Sequence, residues 1–288
     1  MEILNNVFFW PLKTARASRK DYKLARSKPG FVPRTILFYP EKPKTYHALY
    51  KICAYLGWDV TNNPKKPADV RIFFEDKTHR KNRLLMEKLR TEHQIINIDC
   101  NNISKAYVDD VFFEVFGYRM SVDPTTYRGA CVRKSNKNAV HDGVVLDCPV
   151  ESPEGGYVYQ KFIDTTQGDG QAEEYRLHIF NDTIPISLKR YKNKGDLFNV
   201  TVAAEFVDTE DILSKEEQNN VLTFCKRLGM DYGELDALRD KCDGRLYIVD
   251  ANNTPAGPIG PFYEKGIDLE RWFVEMGKET EKAFLAHQ

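Results

Sequence analysis

Toward the end of the chain, two carboxylates and an amide are spaced to hold a hard cation. The stretch 229–258 runs through Leu235, Asp236, Ala237, Leu238, Arg239 and Asp240, turns at Cys242, Asp243 and Gly244, and continues as Leu246, Tyr247, Ile248, Val249, Asp250, Ala251 and Asn252. Strand, turn, strand reads as a hairpin, with Gly244 in the left-handed position of a three-residue loop. With Asp243 at the tip, Asp236 and Asp250 face each other across the strands. Asn252 then shares a face with Asp250, because side chains alternate. Directly opposed carboxylates repel. A divalent cation between them removes that repulsion, and an all-oxygen set of two carboxylates and an amide suits magnesium better than zinc.

The elements that must carry this hairpin form two patterns. Strands at 35–39, 70–74 and 95–98 alternate with helices at 45–56 and 82–90, which predicts a small parallel-sheet unit. The 45–56 helix has Ser/Thr-type capping and stops at Gly57. No GxGxxG occurs there, so a dinucleotide site is not expected. A helix at 108–116 opens a second region of mostly antiparallel strands at 130–134, 144–146, 157–163, 175–180 and 184–191. An amphipathic helix at 214–228, capped by Ser214 with Glu216 and Glu217 in its first turn, precedes the hairpin. A helix at 269–286 ends the chain.

Composition excludes several classes of function. With 288 residues, 42% apolar and 12% aromatic, the chain is neither disordered nor collagen-like and is long enough for several subdomains around a sizeable core. Lys and Arg number 42, as do Asp and Glu, so no whole-surface attraction to nucleic acid exists. The exception is 13–34, where eight basic residues meet the single acid Asp21, just after Val7, Phe8, Phe9 and Trp10. This arm reads either as a solvated helix or as a peripheral contact for an anionic membrane or polyanion. Cys53, Cys100, Cys131, Cys148, Cys225 and Cys242 form no CxxC pair, and no histidine stands at zinc-finger spacing, which predicts reduced thiols. There is no apolar run of about 18 residues, and 1–12 has no basic start or cleavage site. A cytoplasmic protein is the expectation.

Upstream residues extend the pattern of the hairpin. The chain resembles the ATP-grasp superfamily, closest in pattern to the RimK-type carboxylate-amine ligases and their glutathione-synthetase relatives. Asp236, then Asp250 and Asn252 followed by Thr254 and Pro255, resemble that family's metal strands. Val132, Arg133 and Lys134 are similar to its nucleotide-binding lysine strand. Tyr159, Gln160, Lys161, Phe162 and Ile163 resemble the hinge between its two subdomains, whose backbone meets the adenine. Glu174, Tyr175 and Arg176 resemble its acid-x-Arg, Lys189 and Arg190 its later basic strand, and Gly195, Asp196, Leu197, Phe198 and Asn199 a loop of the RimK-type ligases. These matches keep the family's order over about 105–258.

The resemblance implies an α/β (α+β) ATP-grasp architecture: a basic arm at 1–33, a small parallel α/β domain at 34–104, and two subdomains, 105–157 and 158–288, clamping a nucleotide. It implies ATP and Mg2+ as cofactors, the metal on Asp236, Asp250 and Asn252, and nucleotide contacts from Lys134, Gln160, Lys161, Phe162, Ile163 and Glu174. Arg176, Arg190 and Lys189 would form the reacting center, with Arg176 on the phosphates and Arg190 facing the reacting phosphoryl or carboxylate group. Two departures stand out. The glycine-rich phosphate loop is reduced to Gly143 in 135–143, which leaves Asn138, His141 and backbone amides to cover the phosphates. The usual metal glutamate is Asp250, one methylene shorter.

The activity implied is ADP-forming ligation: ATP phosphorylates a carboxylate, and an amine or similar nucleophile captures the acyl phosphate. A kinase-like phosphotransferase of the same fold, or a nucleotide-binding regulatory module without turnover, are the alternatives. Neither the carboxylate nor the nucleophile is legible, and no nucleic-acid partner is expected.

Overall fold

The computed structural model describes residues 3–168, 170–193, 201–258 and 267–285, with side chains from residue 15 onward. The chain divides into two compact units, one of Met1–Asp76, Arg80–Asp99 and Asn253–Gln288, the other of Lys77–His79 and Cys100–Asn252.

The first unit begins with helix α1 (Ile3–Arg26), followed by β1 (Thr35–Pro40), α2 (Ala48–Leu56), β2 (Asp59–Thr61), β3 (Val70–Phe74) and α3 (Leu84–Leu89). Its sheet has the order β2-β1-β3, all parallel. Ile36, Leu37, Phe38, Phe73 and Phe74 are buried along it, as Trp272 is on the C-terminal helix Leu269–Leu285. Three details differ from the sequence expectation. Helix α2 starts at Ala48, three residues late, and its N-cap is His47, which makes no side-chain capping bond. β2 is an addition. The strand expected at 95–98 shrinks to one bridge, Ile72 to Ile96, because Asn97 takes a left-handed φ of 60° that ends the extended run.

The basic arm lies in α1 and the loop after it. Arg16, Arg19, Lys20, Lys23, Arg26 and Lys28 are exposed, whereas Ser18 and Ala25 are buried. Tyr22 Oη donates to Asp59 at 2.5 Å, and Arg26 Nη1 donates to Gly57 O at 3.3 Å. Gly57, with φ +71°, ends α2 where an added Cβ would come within 2.9 Å of Phe31.

The second unit consists of α4 (Lys105–Phe116), β4 (Gly129–Ser135), β5 (Val144–Cys148), β6 (Tyr157–Lys161), β7 (Gln171–Phe180), β8 (Ser187–Asn193), β9 (Thr201–Val207), α5 (Thr209–Ile212), α6 (Lys215–Leu228), β10 (Tyr232–Arg239) and β11 (Leu246–Asn252). A small antiparallel sheet has the order β5-β4-β6, and a larger one the order β11-β10-β7-β8-β9. Phe112 of α4, Val221 and Phe224 of α6, and Leu177, Ile179, Leu235 and Ile248 of the large sheet form one core. The expected cap of α6 is present as a full capping box: Ser214 Oγ accepts from Glu217 N at 3.2 Å, and Glu217 Oε2 accepts from Ser214 N at 2.8 Å. β9 is not foreseen from the sequence. It is an edge strand whose residues, apart from the buried Phe206, are half-buried or exposed, so no apolar run marks it.

Candidate active site

The large sheet arranges charge by register. Asp250 on β11 pairs with Asp236 on β10, and Asp236 pairs with Arg176 on β7. Along the same face, Glu174 on β7 pairs with Arg190 on β8. Direct cross-strand partners stand about 4.5–5.5 Å apart at Cβ, so these pairings become ion pairs. Arg176 Nε lies 3.0 Å from Asp236 Oδ1, Arg176 Nη1 lies 3.3 Å from Glu234 Oε2, and Arg190 Nη2 reaches Asp236 Oδ1 at 3.2 Å. Glu174 is buried and pairs with both Arg190 and Lys192.

The two opposed carboxylates differ sharply. Burial opposes ionisation of Asp236, but the Arg176 and Arg190 guanidiniums outweigh it and hold this carboxyl well below the usual carboxylate range. Asp250 is pushed upward, chiefly by burial and also by the neighboring Asp236 charge, with Lys105 partly offsetting both. Lys105 Nζ lies 3.5 Å from Asp250 Oδ1, a buried atom without a hydrogen-bond partner.

The hairpin departs from the three-residue loop expected. Six residues, 240–245, connect β10 to β11, and Gly244 takes a φ of 71° within them. The opposition of Asp236 and Asp250 is reached through a bulge: Asp236 pairs with Asp250 and Ala237 with Ile248, leaving Val249 extra. Lys134 Nζ, reaching over from β4, donates to the Val249 carbonyl at 3.0 Å. Burial lowers the Lys134 ammonium to about 8 against the pull of Asp250.

On the small sheet, Val132 pairs with Gln160, and Lys134 lies two residues along the same face. Gln160 is buried. The chain then leaves β6 through Phe162 and Ile163, with Phe162 N donating to Ala130 O at 3.0 Å. Lys161 turns its ammonium to Asp240 and Asp243, each at 3.1 Å, and lies over the Tyr247 ring at 4.1 Å. That lysine ties β6 to the hairpin loop.

The loop 136–143 replaces glycines with side-chain bonds. Ala139 and His141 both take φ of 58°, a costly conformation for non-glycine residues. Asp142 Oδ1 accepts from Ser135 N at 2.9 Å, and Thr78 Oγ1 accepts from Asn138 N at 2.9 Å, which hold the loop in place.

These surfaces enclose one open cavity of about 250 Å³, and all its lining residues belong to the second unit. Lys134, His141, Gln160, Lys161, Phe162, Ile163, Glu174, Arg176, Arg190, Asp236 and Asp250 line it. Three of the residues given a site role in the sequence, Asn138, Lys189 and Asn252, do not. Lys189 alternates to the other face of β8, where its ammonium meets Glu173 at 2.7 Å. Asn252 stands beside Glu234 in the ladder. The resembling loop at 195–199 lies outside the described residues. Lys105, Lys137 and Lys192 also line the cavity, as do Thr165 and Leu238, and sequence reasoning missed them. Lys192 shares a strand face with Arg190, a period-2 signal that was available. Lys105 opens a helix remote in sequence, so nothing local marked it.

Among the described residues no group of three or more His, Cys, Asp or Glu side chains is placed to hold a metal, and two opposed carboxylates are what the cavity offers a divalent cation. Asp250 Oδ1 lacks a hydrogen-bond partner, and Asp236 faces the same cavity from the opposed strand position. Magnesium commonly uses one or two protein carboxylates, completing its shell with phosphate and water oxygens. Asp236 and Asp250 are the residues that would hold it.

No protein-family model and no curated protein sequence matches the chain. Solved structures do. The D-alanine–D-alanine ligase of Bacillus anthracis, solved as a complex with ATP, superposes with a TM-score of 0.54 at 12% identity, covering 88% of this chain and 97% of that one. This chain has the ATP-grasp fold. Weaker likenesses are to the ATP-grasp ligase PsnB complexed with a minimal precursor (TM-score 0.47, 14% identity, 68% of each chain) and to the macrocyclase MdnC of Microcystis aeruginosa MRC bound to its precursor peptide MdnA (TM-score 0.40, 16% identity, 63% of this chain and 60% of that one). At these identities the ATP-grasp likeness is one of fold, and the chemistry rests on the side chains in the cavity. Among the described residues, no helix is long and apolar enough to cross a membrane.

Proposed function

We propose that this chain is an ATP-dependent, ADP-forming ligase that activates a carboxylate as an acyl phosphate and joins it to an amine or similar nucleophile. The observation that carries the reading is the cavity itself. Seven Lys and Arg residues line it against five Asp and Glu, one of which, Glu173, turns its carboxylate to Lys189, so positive charge is in excess in a chain whose net charge is zero. The B. anthracis ligase of the same fold was solved with ATP.

In this reading Gln160 to Ile163 border the adenine, and Lys134 and Lys105 meet the phosphates. Asp236 and Asp250 would hold Mg2+, which supplies charge neutralisation on the phosphates when bound. Arg176 and Arg190 do the discriminating work. Both substrates are anionic and repel until clamped, and guanidiniums fixed by Glu234, Asp236 and Glu174 are already oriented, so little side-chain entropy is lost on binding. Attack by the carboxylate on the terminal phosphate gives an acyl phosphate and ADP, and the nucleophile then displaces phosphate. Lys189, on the opposite face, has no part in this scheme.

The test is product analysis. Turnover should release ADP and phosphate only when a carboxylate and a nucleophile are both supplied, and hydroxylamine should trap the intermediate as a hydroxamate. AMP with pyrophosphate, or a phosphorylated alcohol without hydroxamate, would overturn the ligase reading.

A further inference from the structure

The six thiols are scattered in sequence, but the small sheet brings two of them into contact. Cys131 of β4 pairs with Leu146, and Cys148 of β5 pairs with Gly129, so the cysteines are diagonal neighbors on one face of the antiparallel pair. Their Sγ atoms lie 2.6 Å apart, well inside the roughly 3.5–4.0 Å at which even carbon atoms meet without bonding. By strand alternation this is the face opposite Val132 and Lys134, so the thiols stand behind the cavity wall. Access differs between them. Cys131 is fully buried, whereas Cys148, at the end of the edge strand, is half-buried. Burial and the neighboring thiol push Cys131 up to about 12, and Cys148 is the thiol that a solvent oxidant reaches first.

We propose that Cys131 and Cys148 are an oxidation site that a peroxide converts to a disulfide, stapling edge strand β5 to the strand that carries Lys134. The Cys148 thiolate attacks one peroxide oxygen, the O–O bond breaks, and water leaves with Cys148 as a sulfenic acid. The Cys131 sulfur then attacks the sulfenic sulfur, its proton leaves with the hydroxyl group as a second water, and the S–S bond forms. Two thiols and one hydrogen peroxide give one disulfide and two waters.

The experiment treats the full chain, first reduced, with hydrogen peroxide and then alkylates it in denaturant for peptide mapping. The expected result is a mass loss of about 2 Da, two thiols protected from alkylation, one cross-linked peptide pair containing Cys131 and Cys148, and full reversal by dithiothreitol. Cys148→Ser should abolish the cross-link. Cys131→Ser should stop at the Cys148 sulfenic acid, captured by dimedone. The wild-type map decides the matter even if the buried Cys131 position tolerates no substitution. Equal alkylation of all six thiols after peroxide, or a cross-link through the exposed Cys242, would overturn the proposal.

Discussion

Asp236 and Asp250 occupy one rung of a ladder yet should respond oppositely to the same substitution. Asp236→Asn takes one acid from the half-buried Arg176 and Arg190, which keep Glu234 and Glu174, a loss of about 1–2 kcal/mol. Asp250→Asn removes a charge that burial and Asp236 disfavor, so the nucleotide-free fold should be unchanged or more stable. The folded Asp250 pKa is raised, so its contribution to stability is full below the unfolded value of about 3.9 and is lost as pH rises through the folded value. The Asp250→Asn gain should therefore be absent near pH 3 and grow toward neutrality. Thermal melts of both variants across pH check this, and equal destabilisation by the two would refute the assignment. Both should abolish Mg-ATP turnover. Lys134 makes a second prediction at this scale. Its ammonium titrates near 8 in the free protein, and phosphate binding requires the charged form, so Mg-ATP affinity should weaken as pH rises through about 8. Isothermal titration at pH 7 and 9 measures it, and a pH-independent affinity would remove Lys134 from the phosphates.

The strands position these groups through backbone proximity as much as through pairing. An added Cβ at Gly233 would lie 2.6 Å from the Asn252 carbonyl oxygen and 2.6 Å from Met230 Sδ. A backbone atom cannot swing aside, so Gly233→Ala must move β11 away from β10. The expected cost is about 1–3 kcal/mol, with Mg-ATP affinity lowered as well, because Asp250 lies two residues from Asn252 on the displaced strand. Denaturant melts and a titration of Mg-ATP read the two effects. Wild-type values for both would show that the strands do not constrain each other there. The Val249 bulge acts on the same scale, since the carbonyl that receives Lys134 belongs to the inserted residue.

For the molecule as a whole, the cavity is built entirely from the second unit, so a ligand's effect should be local. Mg-ATP at 100 times its dissociation constant should stabilise that unit by about 2.7 kcal/mol. Hydrogen exchange should then slow in 100–252, with β4, β6, β7 and β8 most protected. No thermal shift at millimolar Mg-ATP would exclude the nucleotide site.

Much of this was legible in the sequence where the signal is local. Strand period, the Ser214 and Glu217 capping pair and the terminating Gly57 follow from spacing within a few residues, whereas the opposition of Asp236 to Asp250, expected from a three-residue loop, arises from a six-residue loop and the Val249 bulge. The family resemblance named Glu174, Arg176 and Arg190, which line the cavity, and Lys189, which does not. Tertiary structure alone decided what depends on separated segments meeting. Lys105 faces Asp250 because a helix start is packed near a strand 145 residues later. Lys189 faces away although Arg190 beside it faces inward, since alternation separates neighbors once one face is fixed. Asn97 ends a predicted strand through a backbone angle that its apolar neighbors conceal. Cys131 and Cys148, unremarkable in spacing, touch because β4 and β5 pair in one register, and a shift of one residue would have sent one thiol to the other face.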